Sequence, residues 1–122
     1  MSENTVSIEE LEHIRDSFNK QEGRKYPCSN QIVLCGIVTD DREKAIEFMK
    51  DKLVVYKREH ERGREIVWLL DNGEKWLWRK WNCNCRGYRL YKVAVDKNIS
   101  RDLLEHFVMP FTGIYCYSFE II

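Results

Sequence analysis

The stretch 65–81, EIVWLLDNGEKWLWRKW, places two runs of apolar residues on either side of an Asn-Gly pair. Asn72-Gly73 is a strong signal for a β-hairpin, because both residues tolerate a positive φ. The sequence therefore predicts antiparallel strands over 65–70 and 74–81, joined by a tight turn.

Further strands are predicted on both sides of this hairpin. The run QIVLCGIV at 31–38 is almost continuously apolar and β-branched, which is typical of a central strand buried on both faces. The other strand-like runs are LVVYKREH at 53–60, which Arg62-Gly63 turns into the hairpin, YRLYKVAVD at 88–96, and the alternating segment 115–121. Together they predict an antiparallel meander at the centre of the fold.

Three helices are predicted from capping residues and apolar spacing. The candidate N-caps are Ser7, which forms a capping box with Glu10, then Thr39 or Asp40, and then Ser100. The apolar stripes that follow are Ile8, Leu11, Ile14 and Phe18, then Ala45, Ile46, Met49 and Leu53, and finally Leu103, Leu104, Phe107 and Val108. Pro110 is expected to end the third helix, because proline lacks the backbone N–H that a helix needs.

The predicted elements follow the order α-β-α-β-β-β-β-α-β in a chain of 122 residues. This order predicts an α+β fold with a mostly antiparallel sheet of about five to six strands, an N-terminal helix arm and two packed helices. We expect the arm to occupy residues 1–22 and a single α+β domain to occupy residues 23–122.

The composition excludes several broad classes of protein. The 20 Lys and Arg residues balance the 20 Asp and Glu residues, so the chain is not a histone-like polycation. No apolar run approaches the roughly 20 residues of a membrane helix, and the acidic start MSENTVSIEELE lacks the apolar core of a signal peptide. We therefore expect a cytoplasmic protein with no membrane association.

The 5 cysteines are expected to be reduced thiols, because their number is odd and nothing marks the chain for export. Apolar neighbours around Cys35 and Cys116 predict that these two pack in the core. Cys83 and Cys85 are close in sequence, but structural zinc sites usually need two residues between paired cysteines and further ligands nearby. The sequence therefore predicts neither a metal site nor a cofactor.

The zero net charge hides a strong asymmetry along the chain. Residues 1–22 carry 6 acidic and 2 basic groups, whereas residues 75–92 carry 6 basic groups and no acid. The aromatic residues interleaved with these cations are Trp76, Trp78, Trp81, Tyr88 and Tyr91. Arginine binds phosphate bidentately and aromatic rings stack on bases, so this basic-aromatic segment (75–92) predicts a nucleotide or a single-stranded nucleic acid as ligand.

Within the basic-aromatic segment, the run RGYR at 86–89 favours a ligand site most. It follows a polar loop in which asparagines and Gly87 allow backbone N–H groups to approach a ligand closely. Arg86 and Arg89 are expected to hold phosphate together if the chain turns at Gly87. The full set of predicted ligand-binding residues is Trp78, Arg79, Asn82, Asn84, Arg86, Tyr88, Arg89 and Tyr91.

A purely structural interpretation remains open for the first part of the basic-aromatic segment. Trp76 and Trp78 would share one face of their strand and pack in the core, as strand aromatics often do. Lys75, Arg79 and Lys80 would then be the solvated side of an edge strand, where charge discourages pairing with another chain.

The strand-like run upstream is also charged. Between positions 57 and 65, basic residues alternate with Glu59, Glu61 and Glu65. Cross-strand ion pairing on a hairpin is the expected arrangement of these groups.

The first helix has an apolar stripe that could serve a partner. We expect this stripe to dock on a partner subunit, because a separate N-terminal helix often serves as an anchor arm and C2 dimers are the commonest assemblies. The sequence therefore predicts a homo-oligomer, a dimer or higher, formed through the N-terminal helix.

Sequence motifs for catalysis are missing. The chain contains no Walker loop, no dinucleotide glycine fingerprint, no HExxH and no Gly-x-Ser-x-Gly. His13, His60 and His106 lie in no recognisable nucleophile-base pattern, and Asp40-Asp41 is explained as helix capping. We therefore interpret the chain as a binder and not as an enzyme.

The small size, the acidic N-terminal helix and the run RGYRLYKVAVDKNIS at 86–100 resemble the small accessory proteins of phages and prophages, and among them the Thoeris anti-defence proteins. The resemblance is one of layout, a helix arm followed by a β-rich body, and no diagnostic motif transfers residue by residue. It implies sequestration of a cyclic ADP-ribose-like signal in the pocket of an oligomer, without cleavage, in the cytoplasm of a host cell.

Three functions are compatible with the sequence. They are sequestration of an anionic nucleotide, binding of single-stranded nucleic acid along the basic-aromatic segment, and inhibition of another protein through an aromatic patch. Oligonucleotide affinity would grow with strand length and fall steeply with salt, whereas a pocket saturates with one small ligand. A protein inhibitor would bind neither.

Overall fold

The computed structural model describes residues 5–20, 33–81, 90–112, 116 and 118–122. Its helices are α1 (Ile8–Lys20), α2 (Arg42–Met49) and α3, a helical segment over 101–112 made of Arg101–Leu103, a π-helical turn Leu104–Val108, and Met109–Thr112. Its strands are β1 (Val33–Val38), β2 (Val54–His60), β3 (Glu65–Leu70), β4 (Glu74–Arg79), β5 (Lys92–Val95) and β6 (Ser118–Ile121). This is the order of helices and strands that the sequence predicts.

The strands form one mixed sheet in the order β2-β3-β4-β1-β5-β6. Strand β3 pairs antiparallel with β2 and β4, whereas β1 pairs parallel with β4 and β5, and β5 pairs parallel with β6. The α+β class is confirmed, but the sheet is not mostly antiparallel as expected, because within the described chain only β3 reverses direction. Helices α2 and α3 cross back over the sheet, so that the next strand runs parallel to the one before.

Helices cover the sheet on both faces. On one face α1 and α3 contribute Leu11 and Phe107 to a core cluster that also contains Phe119. On the other face α2 contributes Ala45 to a second cluster, which contains Trp78. None of the helices in the described chain combines the length and the apolarity required to cross a membrane.

Strand β1 lies at the centre of the sheet, as its apolar sequence predicts. Cys35, Ile37 and Val38 are fully buried. A Cβ atom at Gly36 would lie 2.9 Å from Cδ1 of Leu90. Glycine at this position therefore lets the side chain of Leu90 pack directly on the backbone of β1.

The predicted hairpin is confirmed, with a small difference in its turn. The N–H of Gly73 donates to the carbonyl of Leu70 at 3.2 Å, and Gly73 has a φ of 90°. The non-glycine residues with positive φ in the described chain are Glu61 and Arg62, so Asn72 does not share this conformation. This geometry fits a three-residue loop that ends in a left-handed glycine. Glu61 and Arg62 instead form the turn between β2 and β3.

Two of the predicted N-caps are confirmed. The hydroxyl of Ser7 accepts a hydrogen bond from the backbone N–H of Glu10 at 3.1 Å. The hydroxyl of Ser100 accepts one from the N–H of Leu103 at 3.2 Å. Each bond satisfies a backbone donor that the first helical turn leaves without a partner.

The cap of α2 differs from the prediction. Asp41 is the N-cap, and its carboxylate accepts from the backbone N–H groups of Glu43 and Lys44. The sequence predicts Thr39 or Asp40 as the cap. The Thr39 hydroxyl instead accepts a hydrogen bond from the N–H of Asp41, the cap residue itself, and not from the first turn of the helix. The polar turn therefore begins at Thr39, and the helix begins three residues later, at Arg42.

Pro110 does not end the third helix, contrary to expectation. The helical segment passes through Pro110 to Thr112. Immediately before the proline, the N–H of Met109 donates to the carbonyl of Leu104, five residues earlier. A π turn adds one residue to the hydrogen-bonded ring, and here it directly precedes the proline, whose missing N–H and ring disrupt a regular α-helical turn.

Helix α1 packs on its own chain. Leu11 is fully buried, and the ring of Phe18 stacks on Phe119 of β6 with centroids 5.5 Å apart. The guanidinium of Arg101 donates to the Glu10 carboxylate at 2.8 Å. The stripe that was predicted to dock on a partner subunit is thus covered by the sheet, and only Ile8 of the stripe is strongly exposed.

The edge strand β2 exposes apolar side chains. Leu53 was expected on the stripe of α2, but the helix ends at Met49 and Leu53 is 71% exposed. Val54, Val55 and Tyr56 are also exposed, and a register shift interrupts the pairing of β2 with β3 between Val54 and Tyr56. Irregularities of this kind are common at sheet edges and twist them away from further pairing.

Candidate functional site

The predicted ligand-binding residues divide into two groups in the structure. Those between 82 and 89, namely Asn82, Asn84, Arg86, Tyr88 and Arg89, lie outside the described residues, as do Cys83 and Cys85. Trp78, Arg79 and Tyr91 are described. The structure therefore bears directly only on the two ends of the basic-aromatic segment.

The tryptophans of β4 belong to the core. Trp78 is 1% exposed, and its indole N–H donates to the carbonyl of Thr39 at 2.9 Å. Trp76 and Trp81 are also buried, and Trp81 donates to the carbonyl of Ile37. The core interpretation is confirmed for Trp76 and Trp78, and Trp81, for which it was not made, is a core residue as well. The Trp78 ring is therefore closed to solvent in this structure.

Strand β4 is not an edge strand, because β3 and β1 flank it. The edge explanation for Lys75, Arg79 and Lys80 is therefore wrong. A carboxylate also lies within reach of the basic-aromatic segment. Lys92 forms an ion pair with Glu74, which directly precedes Lys75 at the start of the segment.

Glu74 organises a small buried cluster beside β1. Burial would raise the pKa of Glu74, but hydrogen bonds from Lys92, Trp76 and Asn72 outweigh burial and lower it from its ordinary value. Burial also raises the pKa of the neighbouring Cys35 thiol well above its ordinary value. Cys35 is thus a protonated packing residue, as the sequence predicts.

A crevice of about 490 Å³ opens at the carboxyl ends of β1 and β5. After β1 the chain turns into α2 on one face of the sheet, and after β5 it turns into α3 on the other face. Adjacent parallel strands whose connections leave to opposite faces form a topological switch point, which is where open α/β sheets bind ligands. The residues that line the crevice are Val38, Thr39, Asp40, Asp41, Arg42, Lys44, Asp96, Asn98, Ile99 and Leu103.

Asp96 holds the two sides of the crevice together. Its carboxylate accepts a hydrogen bond from the Thr39 hydroxyl and lies 2.8 Å from the Lys44 ammonium. The backbone N–H of Asn98 donates to the same carboxylate at 2.8 Å. The loop after β1, the first turn of α2 and the loop after β5 are therefore tied to one side chain, which is only 7% exposed.

The charge of Asp96 is fixed by these contacts. Burial alone would raise the pKa of Asp96, but the bonds from Lys44, Thr39 and the N–H of Asn98 outweigh burial and lower the pKa from its ordinary value. Asp96 is thus a permanent anion near neutral pH, which suits a structural clamp and not a proton carrier.

The two cations of the crevice are already engaged. Lys44 pairs with Asp96, and Arg42 pairs with Glu59 at 2.7 Å. Asp41 is used as the cap of α2, which leaves Asp40 as the exposed carboxylate of the lining that the cap does not use. The described part of the crevice therefore offers acceptors for hydroxyl and amino groups more readily than it offers cations for phosphate.

Sequence reasoning missed this crevice. It interpreted Thr39 and Asp40-Asp41 as helix capping alone and assigned no role to Asp96, which lies 57 positions after Thr39. The signal that could have found them is a polar residue directly after each of two buried strands, because the carboxyl ends of parallel strands share one edge of a sheet. Within the described residues no group of three or more His, Cys, Asp or Glu side chains could hold a metal ion.

Replacing Asp96 with alanine is expected to destabilise the protein by about 3 kcal/mol, because the Lys44 ammonium and the Thr39 hydroxyl lose their buried acceptor. Asp40→Ala, at an exposed position of the same crevice, should change stability by less than about 0.5 kcal/mol. Urea unfolding at neutral pH measures both. Equal stability of the two variants would contradict the clamp.

The same clamp predicts how stability depends on pH. Because the folded pKa of Asp96 is lowered, its contribution is present above the unfolded value of about 3.9 and is lost as the pH falls through the folded value. The wild-type protein should therefore lose stability below about pH 4 more steeply than Asp96→Ala does.

The crevice combines two fixed parts with one exposed residue. Its fixed parts are the Asp96 clamp and the cap of α2, and its exposed part is Asp40. No family model, curated protein or solved structure matches this chain.

Proposed function

We propose that this protein binds a small nucleotide-type ligand in the crevice at the carboxyl ends of β1 and β5. The observation that carries the proposal is the switch point itself, where a depression of about 490 Å³ lies between two oppositely directed connections. A volume of this size suits one small molecule and not an extended polymer.

The chemistry of the crevice suits the sugar and base of such a ligand. Asp40 and the backbone groups of the loop after β1 can accept hydrogen bonds from hydroxyl and exocyclic amino groups. Phosphates need cations, and β4 ends at the same edge of the sheet as β1 because the two strands are parallel. Arg79, the last residue of β4, therefore lies at the same edge of the sheet as the crevice, and the sequence after it contains Arg86 and Arg89, which we propose to hold phosphate.

Binding without turnover is the form of this function that the fixed charges favour. The carboxylate of Asp96 is held as an anion by Lys44 and Thr39, so it is poorly suited to general acid-base catalysis near neutral pH. Sequestration of a cyclic ADP-ribose-like signal in the cytoplasm, with the effect of countering a host defence, is the biological role that we propose for such binding.

Arg86→Ala combined with Arg89→Ala is expected to weaken nucleotide binding at least tenfold, because each charge-assisted contact to phosphate contributes about 1.5–3 kcal/mol. Titration calorimetry against cyclic and linear ADP-ribose measures the affinity.

Asp40→Asn should also weaken binding, by about fivefold or more, if the crevice holds the sugar or base. Lys75→Ala is the matched control and should cost less than about twofold, because Lys75 lies at the other end of the basic-aromatic segment.

Two results would contradict the proposal. One is an affinity of the folded double variant equal to that of the wild-type protein. The other is binding that involves only an oligonucleotide and grows with its length, since a crevice for one small ligand saturates with a mononucleotide. Absence of any nucleotide binding would favour the protein-inhibitor function instead.

A further inference from the structure

The sheet has a second open surface, on the β2 side of the hairpin and away from the crevice. The side chains that line it come from three neighbouring strands and enclose a shallow depression of about 300 Å³. They are Tyr56, Arg58 and His60 from β2, Val67 and Leu69 from β3, and Lys75 from β4. We name these six residues the hairpin platform.

Cations on the two faces of the hairpin differ in whether a carboxylate lies beside them. On the face toward α2, Lys57 lies 3.7 Å from Glu59, and Arg42 lies 2.7 Å from the same carboxylate. On the platform face, Arg58 and Lys75 have no carboxylate within 4 Å among the residues that the structure describes. The cross-strand ion pairing predicted for this hairpin is therefore wrong, because Lys57 pairs with Glu59 of its own strand. Arg58 and Lys75 remain available to bind an anionic partner.

The acidic group on the platform face is Glu65, which is opposite His60 in the register of β2 and β3. Glu65 forms no ion pair with His60 or Arg58 within 4 Å. It lies at one end of the platform, whereas Lys75 lies toward the other end, opposite Leu69. Between these two ends the platform carries Arg58, which lies opposite Val67.

An aromatic ring and an apolar floor complete this surface. Tyr56, Leu69 and Lys75 are in register across three strands, a span of about 10 Å. Tyr56 is 52% exposed, so its side chain is open to solvent. Val67 and Leu69 are half-buried and form the floor between the cations.

We propose that the hairpin platform binds single-stranded nucleic acid, with phosphates on Arg58 and Lys75 and a base stacked on Tyr56. Positive charge around an exposed ring on an open sheet is the arrangement with which proteins bind single strands independently of sequence. An acidic protein would satisfy the cations but would not need the exposed ring. This surface is separate from the crevice and does not depend on the function proposed for it.

Fluorescence anisotropy with labelled single strands of about 12 nucleotides, one of DNA and one of RNA, tests the proposal. Arg58→Gln combined with Lys75→Gln should weaken binding at least tenfold and lower the salt slope by about 1.4, since each phosphate contact on a single strand contributes about 0.7. Tyr56→Leu should weaken binding about fivefold or more, and Tyr56→Phe should restore it, because the ring supplies the stacking.

Lys57→Gln is the matched control, because Lys57 is adjacent in the same strand but points to the other face and pairs with Glu59. It should change the affinity less than about twofold. Asp40→Asn should leave oligonucleotide affinity unchanged, which separates this result from the test of the crevice.

Several results would overturn the proposal. They are no binding of either strand by the wild-type protein, an equal loss for Lys57→Gln and the double variant, and equally tight binding of a polyglutamate peptide. A dimer in light scattering that the double variant abolishes would also overturn it, because the platform would then be covered by a second copy.

Discussion

Replacing Leu11 and Phe18 with alanine together is expected to destabilise the protein by about 6 kcal/mol, which is enough to unfold many domains of this size. Both side chains are buried, and Phe18 stacks on Phe119 of β6. Deleting a buried leucine or phenylalanine removes its transfer free energy and leaves a cavity. Urea unfolding followed by circular dichroism measures the change.

Ile8→Ala is the matched control for this prediction. Ile8 belongs to the same stripe of α1 but is 46% exposed, so its truncation should cost less than about 1 kcal/mol. A double variant that unfolds at nearly the wild-type urea concentration would show that α1 is a dispensable arm, as the sequence suggested. A partner subunit would then be the better explanation for its apolar stripe.

The elements predicted best are those whose signals are local. The hairpin of β3 and β4 depends on two short apolar runs and the turn between them, and all of these lie within 65–81. The caps at Ser7 and Ser100 likewise depend on a residue and its next turn. These features were predicted correctly because no distant residue decides them.

The direction of the strands could not be predicted in this way. An antiparallel neighbour leaves a turn in the sequence, whereas the parallel pairing of β1 with β4 and β5 depends on crossovers that leave no short signal. The prediction that Pro110 ends the third helix was wrong for a similar reason. A proline by itself predicts the end of a helix, but here a π turn precedes it and the helical segment continues.

The crevice was missed for the same physical reason. Thr39 and Asp96 are far apart in sequence and meet only because β1 and β5 are parallel neighbours. Lys92 is paired with Glu74, which lies one residue before the basic-aromatic segment in sequence and two strands away from Lys92 in the sheet. Sequence reasoning found the right residue types but not which of them meet.

Trp78→Ala is expected to destabilise the protein by about 4 kcal/mol, because it removes a fully buried ring from the middle of the sheet. The variant also leaves the carbonyl of Thr39 without the indole N–H that it accepts from at 2.9 Å. Trp78→Phe keeps most of the ring and should cost about 1.5 kcal/mol, largely through that lost hydrogen bond. Urea unfolding of the two variants beside the wild-type protein measures both costs.

Trp78→Phe also separates the core from the ligand site, because this variant is expected to stay folded. The Trp78 ring is 1% exposed, so the affinity of the Trp78→Phe variant for cyclic ADP-ribose should stay within about twofold of the wild-type value. The affinity of the Arg86 and Arg89 double variant should fall at least about tenfold. A large loss of affinity in Trp78→Phe at nearly unchanged stability would mean that the ring contacts the ligand after all. The sheet would then have to open around β4 on binding, since the closed structure leaves the ring no accessible face.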